Sequence, residues 1–219
     1  MPYKAVLFDL DGTLLDTLED IGSATNRVLE EKGFPTHELD AYRNFVGDGS
    51  AMLINRALPL EKRTDDVIHG CLKAFLEDYG SNWNVKTRPY KGIPELLDAL
   101  NDRGLKMAIL SNKPHAFTQK CATELLSNWD FEAVIGQRNG TAPKPDPAGA
   151  LEVARRLNLS PADFLYMGDS GVDMKTAVAS GMFPVGVLWG FRTMGELKDS
   201  GSLVLINHPL EILSVLDSN

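Results

Sequence analysis

The sequence predicts an α/β fold in which helices cover a parallel sheet and a helical segment is inserted after the first strand. Two observations support this prediction. From residue 86 onward, short apolar runs alternate with segments whose apolar residues recur at helical spacing, as expected of parallel strands joined by helices. Between the first apolar run and residue 86, only helical periodicity is found. The 219 residues suffice for one such core with a sizeable insertion.

The alternating region contains four units of helix and strand. In the first unit, four apolar residues within 93–100 share one helix face, Gly104 follows as a stop signal, and the apolar run at 107–110 is predicted to be a buried strand. The same order recurs along the chain. The other predicted strands are residues 133–135, 164–167 and 185–188. We therefore predict a Rossmann-like core.

The first apolar run, residues 5–8, leads into consecutive helices instead of such a unit. Amphipathic spacing is clear over residues 18–28, 53–58 and 67–79. A segment of helices placed between the first strand and the rest of the sheet is most simply an insertion. The predicted domains are a catalytic core of residues 1–15 and 84–219 and a helical cap domain of residues 16–83.

Charge and composition narrow the class of function. The chain has 22 Lys and Arg against 30 Asp and Glu, a formal net charge of −8, which disfavours a broad surface for nucleic acid. No window has the apolar length of a membrane span, so no membrane partner is expected. No signal-peptide pattern precedes the first apolar run, and a cytoplasmic location follows as an expectation. Cys71 and Cys121 lie in apolar helical patterns and are expected to be buried thiols.

Two carboxylates come directly after the first predicted strand, in Asp9-Leu10-Asp11-Gly12-Thr13. Open α/β sheets bind ligands at the carboxyl ends of their strands. Acidic residues this close repel each other unless a cation or a shared proton intervenes, so the pair suits a divalent ion and one protonatable acid. The alternative is a surface turn, because Asp-Gly is a common turn dipeptide.

Three further polar clusters follow other predicted strands and are expected at the same edge of the sheet. They are Ser111-Asn112-Lys113, Lys144-Pro145-Asp146-Pro147 and Gly168-Asp169-Ser170-Gly171-Val172-Asp173. A hydroxyl and a lysine can hold phosphate oxygens, and Asp169 with Asp9 can form the oxygen-rich site that Mg²⁺ prefers. The four clusters together indicate metal-assisted phosphoryl transfer.

In this order the clusters resemble the four motifs of the haloacid dehalogenase superfamily of aspartate-nucleophile phosphohydrolases, over essentially the whole chain. The resemblance implies that superfamily's fold and an Mg²⁺ cofactor. It implies that Asp9 is the nucleophile and a metal ligand, and that Asp11 is the general acid and base and offers a backbone carbonyl to the metal. The other implied roles are phosphate binding by the Ser111 hydroxyl and by Asn112 through its backbone N–H, stabilisation of the nucleophile and phosphoryl charge by Lys144, direct metal binding by Asp169 and support of the metal site by Asp173.

In this family a helical insertion after the first motif forms a mobile cap that excludes water and contacts the substrate, and residues 16–83 fit that role. Within them, Phe45-Val46-Gly47-Asp48-Gly49, with Arg56 after it, is similar to cap segments of phosphoglycolate phosphatases. Gly47 and Arg56 are accordingly predicted substrate contacts, and 2-phosphoglycolate is the expected substrate. The alternative for residues 47–49 is a turn that merely starts a helix.

Several alternatives remain open at this point. A sugar phosphate, a nucleotide or pyrophosphate could be the substrate, and a sugar phosphomutase would share the core motifs. A non-enzymatic phosphate-switch module also gathers acids, a hydroxyl and a lysine around Mg²⁺, although such modules lack a large helical insertion. Asp11 argues against a dehalogenase, and the lack of lysine between Lys32 and Lys62 argues against a phosphonatase. The expected partner is a small phosphorylated metabolite, bound by a monomer or a homodimer.

Overall fold

The computed structural model describes residues 3–218 and has the predicted α/β architecture. The strands are β1 (Ala5–Phe8), β2 (Leu15–Asp16), β3 (Arg88–Pro89), β4 (Lys106–Pro114), β5 (Ala133–Gln137), β6 (Phe164–Gly168), β7 (Phe183–Val187) and β8 (Val204–Ile206). The helices are α1 (Leu18–Glu31), α2 (Tyr42–Phe45), α3 (Ser50–Ala57), α4 (Asp65–Asn82), α5 (Ile93–Asp102), α6 (His115–Leu125), α7 (Ala148–Leu157), α8 (Gly171–Ser180), α9 (Met194–Asp199) and α10 (Ile212–Asp217). The predicted core boundaries at Met1 and Asn219 lie outside the described residues.

Six parallel strands form the main sheet, in the order β5-β4-β1-β6-β7-β8. The chain moves outward from β1 through β4 to β5, then crosses to the other side of β1 for β6, β7 and β8. The order therefore reverses at β1, between β4 and β6. In open α/β sheets this reversal opens a crevice at the carboxyl ends of the strands, where ligands bind.

The central strand β1 is buried on both faces of the sheet, and its four residues are all apolar. In β1, Val6 and Phe8 pack into one hydrophobic cluster, and Ala5 and Leu7 pack into another. Successive side chains of a strand point to opposite faces, so a strand covered on both sides needs a continuous apolar run. This is why the apolar runs of the sequence marked the central strands correctly.

The short outer elements were not predicted. β2 and β3 have two residues each, and they pair antiparallel with Leu15 opposite Pro89 and Asp16 opposite Arg88. β8 has three residues, of which Ile206 alone is fully buried. Segments this short carry no readable periodicity. The two cysteines are buried and free, as expected.

The predicted helical insertion is present as α1 to α4, which follow the β2 strand and precede β3. Its apolar side chains, such as Ile21 on α1 and Phe75 on α4, join the hydrophobic cluster that also contains Phe8 of β1. The chain passes back to the core after Trp83, which is 2% exposed and packs in the same cluster. The exact division between residues 15 and 16 and between 83 and 84 stays a prediction. Within residues 3–218, no helix is both long and apolar enough to cross a bilayer.

A buried carboxylate connects the first helix of the insertion to its return segment. Asp20 on α1 accepts hydrogen bonds from the backbone N–H groups of Lys86 and Thr87 and from the Thr87 hydroxyl, at 2.7–3.0 Å. The residue is 4% exposed, and these donors replace the water that the carboxylate loses on burial. The two chain crossings between core and cap are thereby held side by side.

We expect Asp20→Ala to lower the free energy of unfolding by about 2–4 kcal/mol, because two backbone N–H groups and a hydroxyl lose their acceptor in a buried place. Guanidinium unfolding followed by circular dichroism measures the loss. The matched control is Glu30→Ala on the exposed side of the same helix, where we expect a change below about 0.5 kcal/mol. Equal losses in the two variants would contradict the anchoring role of Asp20.

Candidate active site

A compact turn carries the first pair of carboxylates to the reversal point of the sheet. The backbone N–H groups of residues 13–15 all donate to Leu10 O, at 3.0–3.3 Å. Gly12 has φ +84°, and a Cβ added there would lie 2.3 Å from Asp169 Oδ2. Glycine is therefore required both by the backbone conformation and by the space. The turn brings Asp9 close to Asp169.

Three buried carboxylates meet at this point. Asp9, Asp169 and Asp173 each offer an oxygen, and these oxygens lie within 4.8 Å of one another. Burial first, and then the charge of Asp173, raise the pKa of Asp9 to about 7, although Lys144 opposes the shift. Burial and the charges of Asp173 and Asp9 also raise the pKa of Asp169. A dry cluster of oxygen donors with an excess of negative charge fits Mg²⁺.

Lys144 is the cation within this cluster. Its Nζ lies 2.8 Å from Asp9 Oδ1 and 2.6 Å from Asp173 Oδ1. Burial alone would lower the pKa of Lys144, but the charges of Asp173 and Asp9 outweigh it and hold the pKa well above its ordinary value. The other oxygen of Asp173 accepts from the backbone N–H and the hydroxyl of Ser170, at 3.1 and 2.6 Å. Both oxygens of Asp173 therefore have protein partners, which fix the orientation of this carboxylate.

Asp169 is oriented by a loop that the sequence analysis did not identify. Its Oδ2 accepts from Phe191 N–H at 2.7 Å, and its Oδ1 lies 3.4 Å from the Thr13 hydroxyl. A Cβ added at Gly190 would lie 2.3 Å from the Asp169 Cβ and 2.4 Å from Gly12 O. Glycine at 190 therefore allows the loop after β7 to pass directly over the carboxylate. The sequence could have indicated this loop, because it follows a predicted strand and therefore lies at the same edge of the sheet as the four polar clusters.

Ser111 and Asn112 lie at the end of the buried part of β4. The Ser111 hydroxyl accepts from Lys113 N–H at 3.2 Å. The Asn112 amide binds the main chain of Lys144 at both ends, because its Oδ1 accepts from Lys144 N–H at 2.8 Å and its Nδ2 donates to Lys144 O at 3.0 Å. The same Nδ2 lies 3.1 Å from Gly47 O in the cap. Phosphate binding by the Asn112 backbone N–H stays a prediction. The Asn112 side chain holds the loop that carries Lys144 in place.

Lys113 pairs with the second carboxylate of the first motif. Its Nζ donates to Asp11 Oδ1 at 2.9 Å and to the Tyr79 hydroxyl of α4 at 2.8 Å. Burial opposes the charge of Lys113, but the negative charge of Asp11 and the interaction with Tyr79 outweigh burial and raise the pKa of the lysine. The sequence analysis placed Lys113 in a phosphate-binding cluster and missed this pairing. A chain of contacts thus runs from Asp11 through Lys113 to the cap.

A cavity separates these polar groups from the cap. Asp9, Asp11, Ser111 and Asp169 line it from the sheet edge. The residues that line it from the cap are Ile21, Val46, Gly47, Gly49, Ser50, Leu53, Phe75 and Tyr79. The structure therefore brings Gly47 to the same cavity as residues of the first, second and fourth polar clusters.

Arg56 is a predicted substrate contact, and this role stays a prediction. In the described part of the chain it does not line this cavity. Its guanidinium forms an ion pair with Asp48 at 2.5 Å and donates to Phe45 O at 3.1 Å, because the end of α3 lies beside the carbonyls that end α2. Arg56 thus braces the turn that carries Gly47. The arginine that lines the cavity is Arg192, from the loop after β7, which the sequence analysis did not name.

Comparison with known proteins gives consistent results. The family model for haloacid dehalogenase-like hydrolases matches residues 6–187. A phosphoglycolate phosphatase of Pseudomonas putida KT2440 is 34% identical over 207 residues, which are 92% of this chain and 76% of that protein. An N-acetylmuramic acid 6-phosphate phosphatase of Pseudomonas aeruginosa PAO1 is 31% identical over 218 residues, which are 99% of this chain and 96% of that protein.

Solved structures resemble the chain over its full length. The crystal structure of a proposed phosphoglycolate phosphatase from Lactobacillus delbrueckii subsp. bulgaricus has a TM-score of 0.91 at 30% identity and covers 99% of each chain. A structure from Haemophilus somnus has a TM-score of 0.89 at 26% identity and covers 97% of each chain. The motif resemblance is thus confirmed, and the chain belongs to the haloacid dehalogenase-like hydrolase family.

Proposed function

We propose that the protein is a Mg²⁺-dependent phosphatase that hydrolyses a small phosphate monoester through a phosphoryl group carried on Asp9, with 2-phosphoglycolate as the favoured substrate. The observation that carries this proposal is the buried cluster of Asp9, Asp169 and Asp173, which encloses a single ammonium, that of Lys144. Three carboxylates with one cation leave negative charge that a divalent ion would neutralise. A phosphate-switch module would share these groups, but the cap-covered cavity favours an enzyme that encloses a substrate.

Asp9 and Asp169 would hold the Mg²⁺, together with the backbone carbonyl of Asp11. The raised pKa of Asp9 and of Asp169 supports this assignment, because the one ammonium of Lys144 does not balance three buried carboxylates and a bound cation would supply further positive charge. When bound, Mg²⁺ would offset the charge of the phosphoryl oxygens and so reduce their repulsion of the attacking carboxylate.

In the first half-reaction a carboxylate oxygen of Asp9 attacks phosphorus, and the bond from phosphorus to the ester oxygen breaks. Asp11 gives a proton to that oxygen, so that it leaves as an alcohol. The ion pair with Lys144 fixes the Asp9 carboxylate and limits the build-up of negative charge. The Ser111 hydroxyl and the Asn112 backbone N–H would hold phosphoryl oxygens.

In the second half-reaction water attacks the same phosphorus, Asp11 takes a proton from the water, and the bond between Asp9 and phosphorus breaks. The products are inorganic phosphate and the free Asp9 carboxylate. Asp11 accepts hydrogen bonds from Lys113 as a carboxylate, the form that a base requires. Donating a proton in the first step requires Asp11 to carry the proton that it takes from water in the second step, and to turn from Lys113 toward the substrate.

The walls of the cavity favour a small acid over a sugar. Ser50 and Tyr79 supply the hydroxyls of the cap wall, and the Tyr79 hydroxyl already accepts from Lys113. Sugar hydroxyls buried against the remaining apolar wall would lose hydrogen bonds to water without replacement. The substrates in the names of the two relatives, phosphoglycolate and N-acetylmuramic acid 6-phosphate, both carry a carboxylate; the second is also a sugar phosphate, so the relatives support the carboxylate and not the exclusion of sugars. A carboxylate-bearing phosphate ester is therefore the favoured class.

A panel of phosphate esters at fixed Mg²⁺ concentration tests the substrate. We expect the kcat/KM for 2-phosphoglycolate to exceed that for hexose phosphates, nucleotides and pyrophosphate by at least about tenfold. The polar groups of these other esters would be buried without hydrogen-bond partners, which weakens their binding. Phosphate release measured by a coupled assay gives these values. A clear preference for a sugar phosphate or for pyrophosphate would overturn the substrate while leaving the phosphatase in place.

We expect Asp9→Asn to abolish turnover, because an amide cannot attack phosphorus and cannot supply a negative charge to the metal. Chelation with EDTA should silence the wild type, and added Mg²⁺ should restore it. The control is Asp102→Asn, an exposed acid on α5, which should keep wild-type rates. Activity of Asp9→Asn above the background of a mock preparation would refute the phosphoenzyme mechanism.

Asp11→Asn should damage turnover most for esters with poor leaving groups. An alkoxide needs a proton as it leaves and a nitrophenolate does not, and general acid catalysis typically contributes about 10²- to 10⁴-fold. Stopped-flow release of nitrophenolate should show a burst followed by slow turnover, because water attack on the phosphoenzyme also needs Asp11 as base. An equal proportional loss on alkyl and nitrophenyl phosphates, with no burst, would mean that Asp11 is not the acid and base.

A further inference from the structure

Arg192 reaches the cavity from the core, on the loop between β7 and α9. Its side chain is 11% exposed. A guanidinium so far removed from water needs anionic or carbonyl partners on all of its N–H groups, and each group that lacks one costs free energy. The partners of Arg192 therefore show what the residue is built to bind.

Two of the three nitrogens of Arg192 have partners. Nη2 donates to Val46 O of the cap at 2.8 Å, and Nε lies 3.5 Å from Glu196 Oε1. The Glu196 oxygen is shared, because it also accepts from Gly171 N–H at 2.9 Å. Among the described residues, Nη1 is buried and has no hydrogen-bond partner. Arg192 thus lines the cavity and also carries a buried donor that no described protein group uses.

Among the described residues that line this cavity, no other cation is left without anionic or hydroxyl partners. Lys113 lines the same cavity, but its ammonium is occupied by Asp11 and Tyr79. Lys144 is occupied by Asp9 and Asp173. Arg192 is therefore the lining cation with donor capacity to spare, and a second anionic group of a substrate would be attracted to it.

We propose that Arg192 binds the carboxylate of the substrate and selects phosphate esters that carry one, an inference that rests on the proposed phosphatase function. A carboxylate fits better than a second phosphate for two reasons. Glu196 already offsets part of the charge of Arg192, so the remaining charge suits a monoanion. A single free nitrogen offers few donors, and a phosphate dianion buried against apolar walls would need more.

Arg192 would supply the substrate specificity from the core and not from the cap. Arg192 touches the cap through Val46 O, and a Cβ added at Gly47 would lie 3.5 Å from Arg192 Nη2. The cap turn therefore shapes the space around the guanidinium, while the charge that recognises the carboxylate comes from the loop after β7. Arg56, the arginine of the cap segment, is engaged within the cap.

The test compares 2-phosphoglycolate with 2-hydroxyethyl phosphate, which replaces the carboxylate by a neutral alcohol of similar size. In Arg192→Met we expect the ratio of the two kcat/KM values to fall about 10- to 100-fold, because a charge-assisted hydrogen bond is lost for one ester only. Arg192→Lys keeps the charge and should recover part of the ratio. A merely structural role would not be rescued selectively for the acidic ester.

Arg43→Met is the matched control, because Arg43 also joins cap and core, through Gly190 O at 3.0 Å, without lining the cavity. The Arg43→Met substitution should lower kcat/KM for both esters by the same factor. If Arg192→Met behaves in this way, the residue only holds the cap and the proposal is wrong. If the wild type has equal kcat/KM values for 2-hydroxyethyl phosphate and 2-phosphoglycolate, carboxylate recognition is refuted and the proposed phosphatase activity stands. If the wild type hydrolyses neither ester, the proposed function itself fails.

Discussion

The active-site region depends on one buried ammonium group. Lys144 lies between Asp9 and Asp173, and without it three carboxylates would have to share a dry pocket at less than 5 Å from one another. Its position is fixed by groups that do no chemistry in the proposed mechanism, since the Asn112 amide holds its backbone at both N–H and C=O. Any shift of the loop that carries Lys144 would leave buried carboxylates without their counter-charge. This loop, the strand ends and the carboxylates therefore form one coupled unit.

Close approach of backbone segments is the second requirement. The turn after β1 and the loop after β7 both pass within van der Waals distance of Asp169, and a side chain at Gly12 or Gly190 would occupy the space of its carboxylate. This close approach fixes the orientation of the Asp169 carboxylate, because Phe191 N–H donates to one of its oxygens. Parallel strands make this possible, since their carboxyl ends deliver successive loops to the same edge of the sheet.

Sequence reasoning recovered what periodicity and strand order encode. Five of the six strands of the main sheet, the inserted helices and the meeting of Asp9, Lys144, Asp169 and Asp173 follow from apolar runs and from polar clusters at strand ends. Contacts between distant loops were not readable. The pairing of Lys113 with Asp11 depends on side-chain direction at a strand end, and the placing of Arg192 rather than Arg56 at the cavity depends on how the cap docks. No local pattern in the chain specifies either distance.

Main-chain carbonyls accept several of the hydrogen bonds that dock the cap beside the cavity. Val46 O, Gly47 O and Gly190 O receive donors across the interface, whereas the Tyr79 hydroxyl and, at the chain crossing, the Asp20 carboxylate are side-chain acceptors. A carbonyl is present whatever the side chain, so most substitutions in the cap turn leave this docking intact. The side chains that face a ligand can therefore change during evolution while the cap stays docked on the core. Related proteins can thus keep the same closed arrangement and bind different ligands.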